Sequence, residues 1–347
     1  FLHLDSGRNP SEILFPLIAT HYTSLRQTRP NCPPMPKQAL ICGSLAYDTI
    51  MVFEDRFKNH ILADKVHMLS VAFYVPKLRR EFGGCAGNIS YNLKLLGGHP
   101  VPFGSVGRDF EPYRQHFEAM GIDLRCVREL PDHYTAQAYI TTDLDDNQIT
   151  AFHPGAMTQS HGAHIKDVRG AAFGIVAPDN RDAMLQHAAE FKAMGIPFIF
   201  DPGQALPLFN GEEFRAFIEQ ATYVSVNDYE SQLLSERTGW SPMEIASKVT
   251  AYIVTRGAEG SRWYTRDGAI DIPSAKAQQV LDPTGCGDAY RAGLIYGLMN
   301  DFDFDTTGRI ASLMGAIKIE HAGTQNQRFD LTHFKARFLE EFGYAFE

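Results

Sequence analysis

Asp288 is the side chain in this sequence best placed to do chemistry. It follows Gly285 and Gly287 within Asp282-Pro283-Thr284-Gly285-Cys286-Gly287-Asp288-Ala289-Tyr290-Arg291-Ala292-Gly293. The glycines allow tight or left-handed turns, and the N–H groups of Gly285, Cys286 and Gly287 are then free to face a ligand. After Asp288, the residues Ala289, Ala292, Ile295, Leu298 and Met299 recur at helical spacing. The turn therefore feeds a helix N-terminus, which attracts anions. A carboxylate there would repel a bound phosphate unless it had a task, and the natural task is to take a proton from an attacking hydroxyl. Asp is also a favoured helix N-cap. Two flanking glycines, with Val280-Leu281 read as the tail of a strand stopped by Asp282-Pro283, turn the reading toward catalysis.

A second group of residues has the chemistry of a diol site. Phe82-Gly83-Gly84-Cys85-Ala86-Gly87-Asn88 precedes a helix carrying Ile89, Leu93 and Leu96 on one face, with Gly97-Gly98 as its stop. Gly84 would let a ligand approach the backbone, and Asn88 can both donate to and accept from hydroxyls. Asp48, just past the first strand, falls where open α/β sheets bind ligands and can accept from two neighbouring hydroxyls. A turn Asp and a capping Asn are the plainer readings of the same residues. Two further pieces suit a nucleotide. Asn227 and Glu230 could hold a hydrated Mg²⁺, or could form a capping box. Thr255, Gly257 and Gly260, in Thr255-Arg256-Gly257-Ala258-Glu259-Gly260, could line phosphates, though a hairpin turn has the same composition.

The elements that must position these residues read as an α/β fold. Residues 39–44, 172–177, 198–201, 222–226 and 252–255 are short apolar runs, and amphipathic stretches lie near 181–194, 212–219, 228–236, 242–249 and 287–299. That alternation implies a doubly wound, mostly parallel sheet covered by helices. Residues 49–53, 66–75, 135–142 and 148–153 instead alternate apolar and polar, as strands of a small β-sheet lid inserted at about 49–75 and 135–153. The segment before Met35 reads as an extension outside a catalytic domain spanning 35–347. Its mixed composition lacks the sustained apolar core of a signal peptide.

Composition narrows the classes. The 347 residues carry a net charge of −9, which argues against a nucleic-acid or membrane-surface binder. An anionic ligand must then be held locally, by backbone N–H groups and a few cations. The five widely spaced cysteines form no Cys-x-x-Cys pair, which fits reduced thiols in a cytoplasm. The first strand is not followed by Gly-x-Gly-x-x-Gly, which counts against hydride transfer.

Together Gly83–Gly98 and Asp282–Gly297 resemble the two long motifs of the ribokinase-like (PfkB) small-molecule kinases, and the resemblance extends over about 39–340. It implies ATP and Mg²⁺, with K⁺ as a further cation, and pairing of two copies through the lid. Asp288 matches the catalytic base, Gly285, Cys286 and Gly287 the anion hole, and Asp48, Gly84 and Asn88 the sugar site. Asn227 and Glu230 match the family's Asn-x-x-Glu element. Phe152-His153-Pro154-Gly155-Ala156-Met157, Asp201-Pro202-Gly203-Gln204 and Arg291 are similar to bacterial adenosine kinases, in which Phe152 would stack on a purine and Gln204 would read its edge. The single Gln of that segment and Ala138, where a second lid aromatic is expected, depart from the pattern. The implied reaction is phosphorylation of the 5′-hydroxyl of a nucleoside, adenosine foremost. A ribose or fructose kinase is the alternative, with a sugar-phosphate kinase using Lys77, Arg79 and Arg80 behind it. A silent nucleoside-binding regulator is the reading from another class.

Overall fold

The structure is a computed structural model that describes residues 37–61, 70–145 and 147–347. The expectation for residues 1–34 lies outside them. In β1 (Gln38–Cys42) the run Ala39-Leu40-Ile41-Cys42 is buried throughout, as a strand covered on both faces requires. β1 pairs in parallel with β4 (Pro100–Gly107) on one side and with β8 (Ala171–Val176) on the other. β5 (Val127–Leu130) extends the sheet beyond β4. Beyond β8 lie β9 (Phe198–Phe200), β10 (Tyr223–Asn227) and β11 (Ala251–Thr255), all parallel, then the antiparallel β12 (Ser261–Thr265) and β13 (Gly268–Ile272). The chain builds away from β1 in one direction and then returns to build in the other. The mouth between the carboxyl ends of β1 and β8 is thus the switch point where such sheets bind ligands.

Two apolar layers cover the sheet. One joins Phe191 of α3 (Arg181–Met194) and Phe214 and Phe217 of α4 (Gly211–Gln220) to Phe198 and Phe200. The other packs Ile89 and Leu93 of α1 (Cys85–Leu95) with Ala292, Leu294 and Ile295 of α7 (Cys286–Met299). α7 in turn lies against α8 (Phe304–Ile319), and α9 (Leu331–Phe342) closes that side.

A second sheet of four strands forms the lid, in the order β3–β2–β6–β7. β2 (Ala46–Val52) pairs antiparallel with β3 (Lys77–Gly83) and parallel with β6 (Ala136–Thr142), and β7 (Gln148–His153) pairs antiparallel with β6. The register sets Ala46 opposite Gly83 and Ala136 at the base, and Val52 opposite Lys77 and Thr142 at the tip.

Two expectations are corrected. The strand expected at 66–75 is instead β3: residues 66–69 lie outside the described residues, and 70–75 form no strand. Pro76 has no N–H to give a ladder, so pairing starts at Lys77. The apolar residues before it pack locally, with Phe73 against Phe53 and Phe57. Val280 and Leu281 are not a strand either. They are exposed, and the N–H groups of Leu281 and Asp282 both donate to the carbonyl of Ile319 at the end of α8. The turn before Asp288 therefore hangs from a helix end.

Candidate active site

α1 and α7 start at the switch point, and the sequence explains how each start is fixed. Gly84 precedes α1 at φ +84°, with its Cα only one side-chain carbon from the Ser44 carbonyl: a Cβ there would lie 2.5 Å from that oxygen. The side chain of Ser44 accepts from the Cys85 N–H, and its carbonyl accepts from the Ala86 N–H. The end of β1 thereby caps α1. α7 starts after Gly285, in the left-handed region at φ +80°. Asp282 braces the turn: its carboxylate accepts from the N–H groups of Thr284 and Gly323. Of the N–H groups expected to face an anion, that of Cys286 turns back on the Pro283 carbonyl at 3.2 Å. Those of Gly285, Gly287 and Asp288 have no partner among the described residues.

The two helix starts bring Asn88 and Asp288 together. The Asn88 amide donates to the Asp288 carboxylate at 2.8 Å, and its carbonyl oxygen accepts from Gln325 at 3.0 Å. Gln325 also donates to the Tyr113 hydroxyl of α2 (Glu111–Ala119), which donates to the Gly83 carbonyl. The carbonyl oxygen of Asn88 is thus held from behind by a buried chain that the sequence did not reveal. Gln325 and Tyr113 carry no motif. The polar, glycine-containing run His321-Ala322-Gly323-Thr324-Gln325 after α8 was the available signal. Burial pushes the Asp288 carboxyl up to about 7, and the Asn88 hydrogen bond only partly opposes it. Behind it Arg291 donates from two nitrogens to Asp201, at 2.9 and 3.0 Å, in a buried bidentate pair. Both residues stood out in the sequence, but nothing there joined them.

Asp48, on the lid strand β2, is near enough to add to the rise of the Asp288 carboxyl. Gly83 is adjacent, and a Cβ on it would sit 2.3 Å from the Asp48 carboxylate. Burial, and then the neighbouring Glu81, raise the Asp48 carboxyl to about 6. The lid register sets Asp48 opposite Ala138, and Ala138 opposite Phe152. Residues directly opposite share a face, so Asp48, Ala138 and Phe152 form one row, about 10 Å long over two strand spacings. Phe152 is 53% exposed in that row. Gln204, exposed after β9, makes no hydrogen bond among the described residues.

The nucleotide pieces meet at the ends of neighbouring strands. Asn227 and Thr255 are partners in the β10–β11 register. Asn227 accepts from the Glu230 N–H and Glu230 from the Asn227 N–H, so the pair forms a capping box at the start of α5 (Asp228–Thr238). That use leaves the second carboxylate oxygen of Glu230, which accepts no hydrogen bond among the described residues. Direct chelation by both side chains does not fit, whereas contact through water does. Gly257 and Gly260 lie in the turn between β11 and β12, where Gly260 donates to Gly257 and its carbonyl accepts from Arg256. No cluster of three or more His, Cys, Asp or Glu residues converges among the described residues.

A glycine turn opening a helix, a half-buried carboxylate at its mouth and a small β-sheet beside it lie together at the switch point. The family model for pfkB family carbohydrate kinases matches residues 48–330. The chain belongs to the pfkB family. As a pfkB kinase it is an ATP-dependent phosphotransferase of the ribokinase-like fold, with a mostly parallel sheet and a small lid. It is 32% identical over 261 residues to a nucleoside kinase of Methanocaldococcus jannaschii, covering 74% of this chain and 85% of the relative. A solved Burkholderia thailandensis nucleoside kinase in complex with inosine is 53% identical at a TM-score of 0.81, covering 88% of this chain and 99% of that one. The same enzyme has been solved with ADP and inosine, at 55% identity and a TM-score of 0.79, covering 88% and 97%. No helix of this pfkB kinase, among the described residues, is long and apolar enough to cross a membrane.

Proposed function

We propose that this kinase transfers the γ-phosphoryl group of ATP to the 5′-hydroxyl of a purine nucleoside, adenosine foremost, with inosine and guanosine as further substrates. The observation that carries this reading is the lid row. A carboxylate for the ribose diol (Asp48) and an exposed aromatic ring for the base (Phe152) share one face, separated by a residue small enough to leave room. The relatives that bind nucleosides support the same reading.

In the proposed reaction Asp48 accepts hydrogen bonds from the 2′- and 3′-hydroxyls, near the Gly84 turn and Asn88. Asp288 takes the 5′-hydroxyl proton as that oxygen bonds to the γ-phosphorus and the bond to the ADP oxygen breaks. The N–H groups of the Gly285–Gly287 turn and the α7 N-terminus stabilise the charge that develops on the phosphoryl oxygens. Mg²⁺ supplies charge neutralisation when it is bound with ATP, and Glu230 beside Asn227 would hold it through water. Thr255, Gly257 and Gly260 line the phosphate approach, Gln204 reads the base edge, and lid closure excludes water.

The sugar-phosphate reading has less support. Lys77 pairs with Glu54, Arg79 lies near Glu81 and Asp282, and Arg80 pairs with Asp109 while lying 3.6 Å over the Tyr47 ring. Each cation of that cluster already has an acidic neighbour. A homodimer through the lid belongs to the same proposal. The face opposite Asp48 carries Leu78, Tyr139 and Ile149, all exposed. Adenosine, inosine, guanosine, ribose, fructose and fructose 6-phosphate are to be compared by ADP formation. Nucleosides should turn over fastest. Faster turnover of ribose or fructose would make this a sugar kinase, and nucleoside binding without any turnover would make it a regulator.

A further inference from the structure

Lys318 is fully buried near the end of α8, beneath the turn that precedes Asp288. Its ammonium donates to the Asp282 carbonyl at 2.7 Å and to the His321 carbonyl at 3.1 Å. Among the described residues no carboxylate oxygen lies within 4.0 Å of it. Buried lysines are ordinarily neutralised by a partner, because an unpaired charge in the interior is costly. This one is held only by backbone carbonyls, from the first residue of the phosphate turn and from the segment leading to Gln325. An ammonium has three donors, and two are used.

Main-chain carbonyls around a monovalent charge are the ligand set of an alkali-metal cation. Here the charge arrives on a side chain. We propose that Lys318 is a built-in monovalent cation: it fixes the Asp282–Asp288 turn and supplies standing positive charge beneath the transferring phosphoryl group, so that turnover needs no added K⁺. Its missing counter-charge is then the phosphate chain of ATP. The position supports both roles. Asp282 anchors the turn through Thr284 and Gly323, and Lys318 anchors Asp282 through its carbonyl. Burial lowers the Lys318 pKa, the nearby Cys286, Asp282 and Asp288 oppose this, and Arg79 adds to it.

The inference rests on phosphoryl transfer at this turn, and the acceptor is immaterial to it. If ribose proves a better substrate than adenosine, the same comparisons run with ribose. Wild-type turnover is first measured with Na⁺ replaced by K⁺ and by tetramethylammonium, and should change by less than about twofold. Lys318→Met should lower kcat about 100-fold or more, the scale of losing a preorganised charge-stabilising group. The KM for nucleoside should stay within about threefold, since the diol and base contacts are untouched. Mg-ATP affinity, measured by calorimetry without any acceptor, should fall in the variant. K⁺ or NH₄⁺ should restore part of the lost kcat, because the vacated carbonyls can take a free cation. Lys318→Arg keeps the charge in a larger group and serves as the second variant if the methionine protein melts early. Strong K⁺ activation of the wild type would overturn the inference. So would near-normal kcat in Lys318→Met, or a loss that is shared by KM and thermal stability and is deaf to K⁺ and NH₄⁺.

Discussion

In the proposed reaction Asp288 faces two opposed demands: it must be ionised to take a proton, yet its site makes ionisation costly. Burial raises it to about 7, and Asp48 to about 6. Both must be charged for the proposed reaction, so log kcat/KM should fall with unit slope below about pH 7 and more steeply below about pH 6. A flat profile from pH 5 to pH 8 would remove both from the mechanism. Asp288→Asn should cost about two to four orders of magnitude in turnover, the usual weight of a general base. Stability moves the other way. The folded chain holds these protons more tightly than the unfolded chain, whose ordinary value is 3.8. Their stabilising contribution is full below about pH 4 and is lost as pH rises through about 6 to about 7. Asp288→Asn should therefore melt no lower than the wild type at pH 8. Phe152 gives a separate test. Phe152→Ala should cost about 1–3 kcal/mol in nucleoside affinity. Any activity on free ribose should be spared, since ribose offers no ring to stack on. Equal losses on both would make Phe152 a support of the lid. Gln204→Leu should shift the adenosine-to-inosine preference, read from the ratio of kcat/KM values.

At the scale of elements, Gly84 is where sequence and site are most tightly tied. Its φ of +84° and its approach to the Ser44 carbonyl leave no space for a side chain. Gly84→Ala should displace the start of α1, and with it Asn88, costing turnover at least as much as stability; a variant with unchanged kcat would show the junction to be slack. Most of the parallel sheet was legible because its strands are unbroken apolar runs, and α3, α4, α5 and α7 carry clear stripes or caps. β4 was not legible. Pro100, Pro102, Gly104 and Gly107 disqualify it by propensity, yet every residue in it is buried. α8 was missed for a related reason: it is buried on most sides, so no polar face marks its period. Of the site, the glycine turns and single carboxylates could be read directly. The Asn88–Gln325–Tyr113 chain and the Asp201–Arg291 pair could not, because such contacts exist only once distant segments meet.

For the molecule as a whole, the lid's attachment has a mechanical consequence. All four lid strands enter or leave the body at one end, near the row of Ala46, Gly83 and Ala136, and among the described residues nothing pairs the far row of Val52, Lys77 and Thr142 with the body's sheet. The lid is a cantilever clamped at the Ser44–Gly84 junction. The Asp48 row lies two residues from the clamp and the tip row six, or about 7 Å and about 20 Å along the strands. For a rigid rotation about the clamp the tip travels roughly three times as far as Asp48. In the proposed reaction the Asp48 carboxylate would therefore move little, while the distal edge would do the opening and shutting. Spin labels at Thr142 and at Thr150, each paired with one on α9, should report unequal distance changes when nucleoside and ATP bind, the larger at Thr142. Equal changes would mean that the sheet translates as a block, and that the diol site opens as widely as its rim.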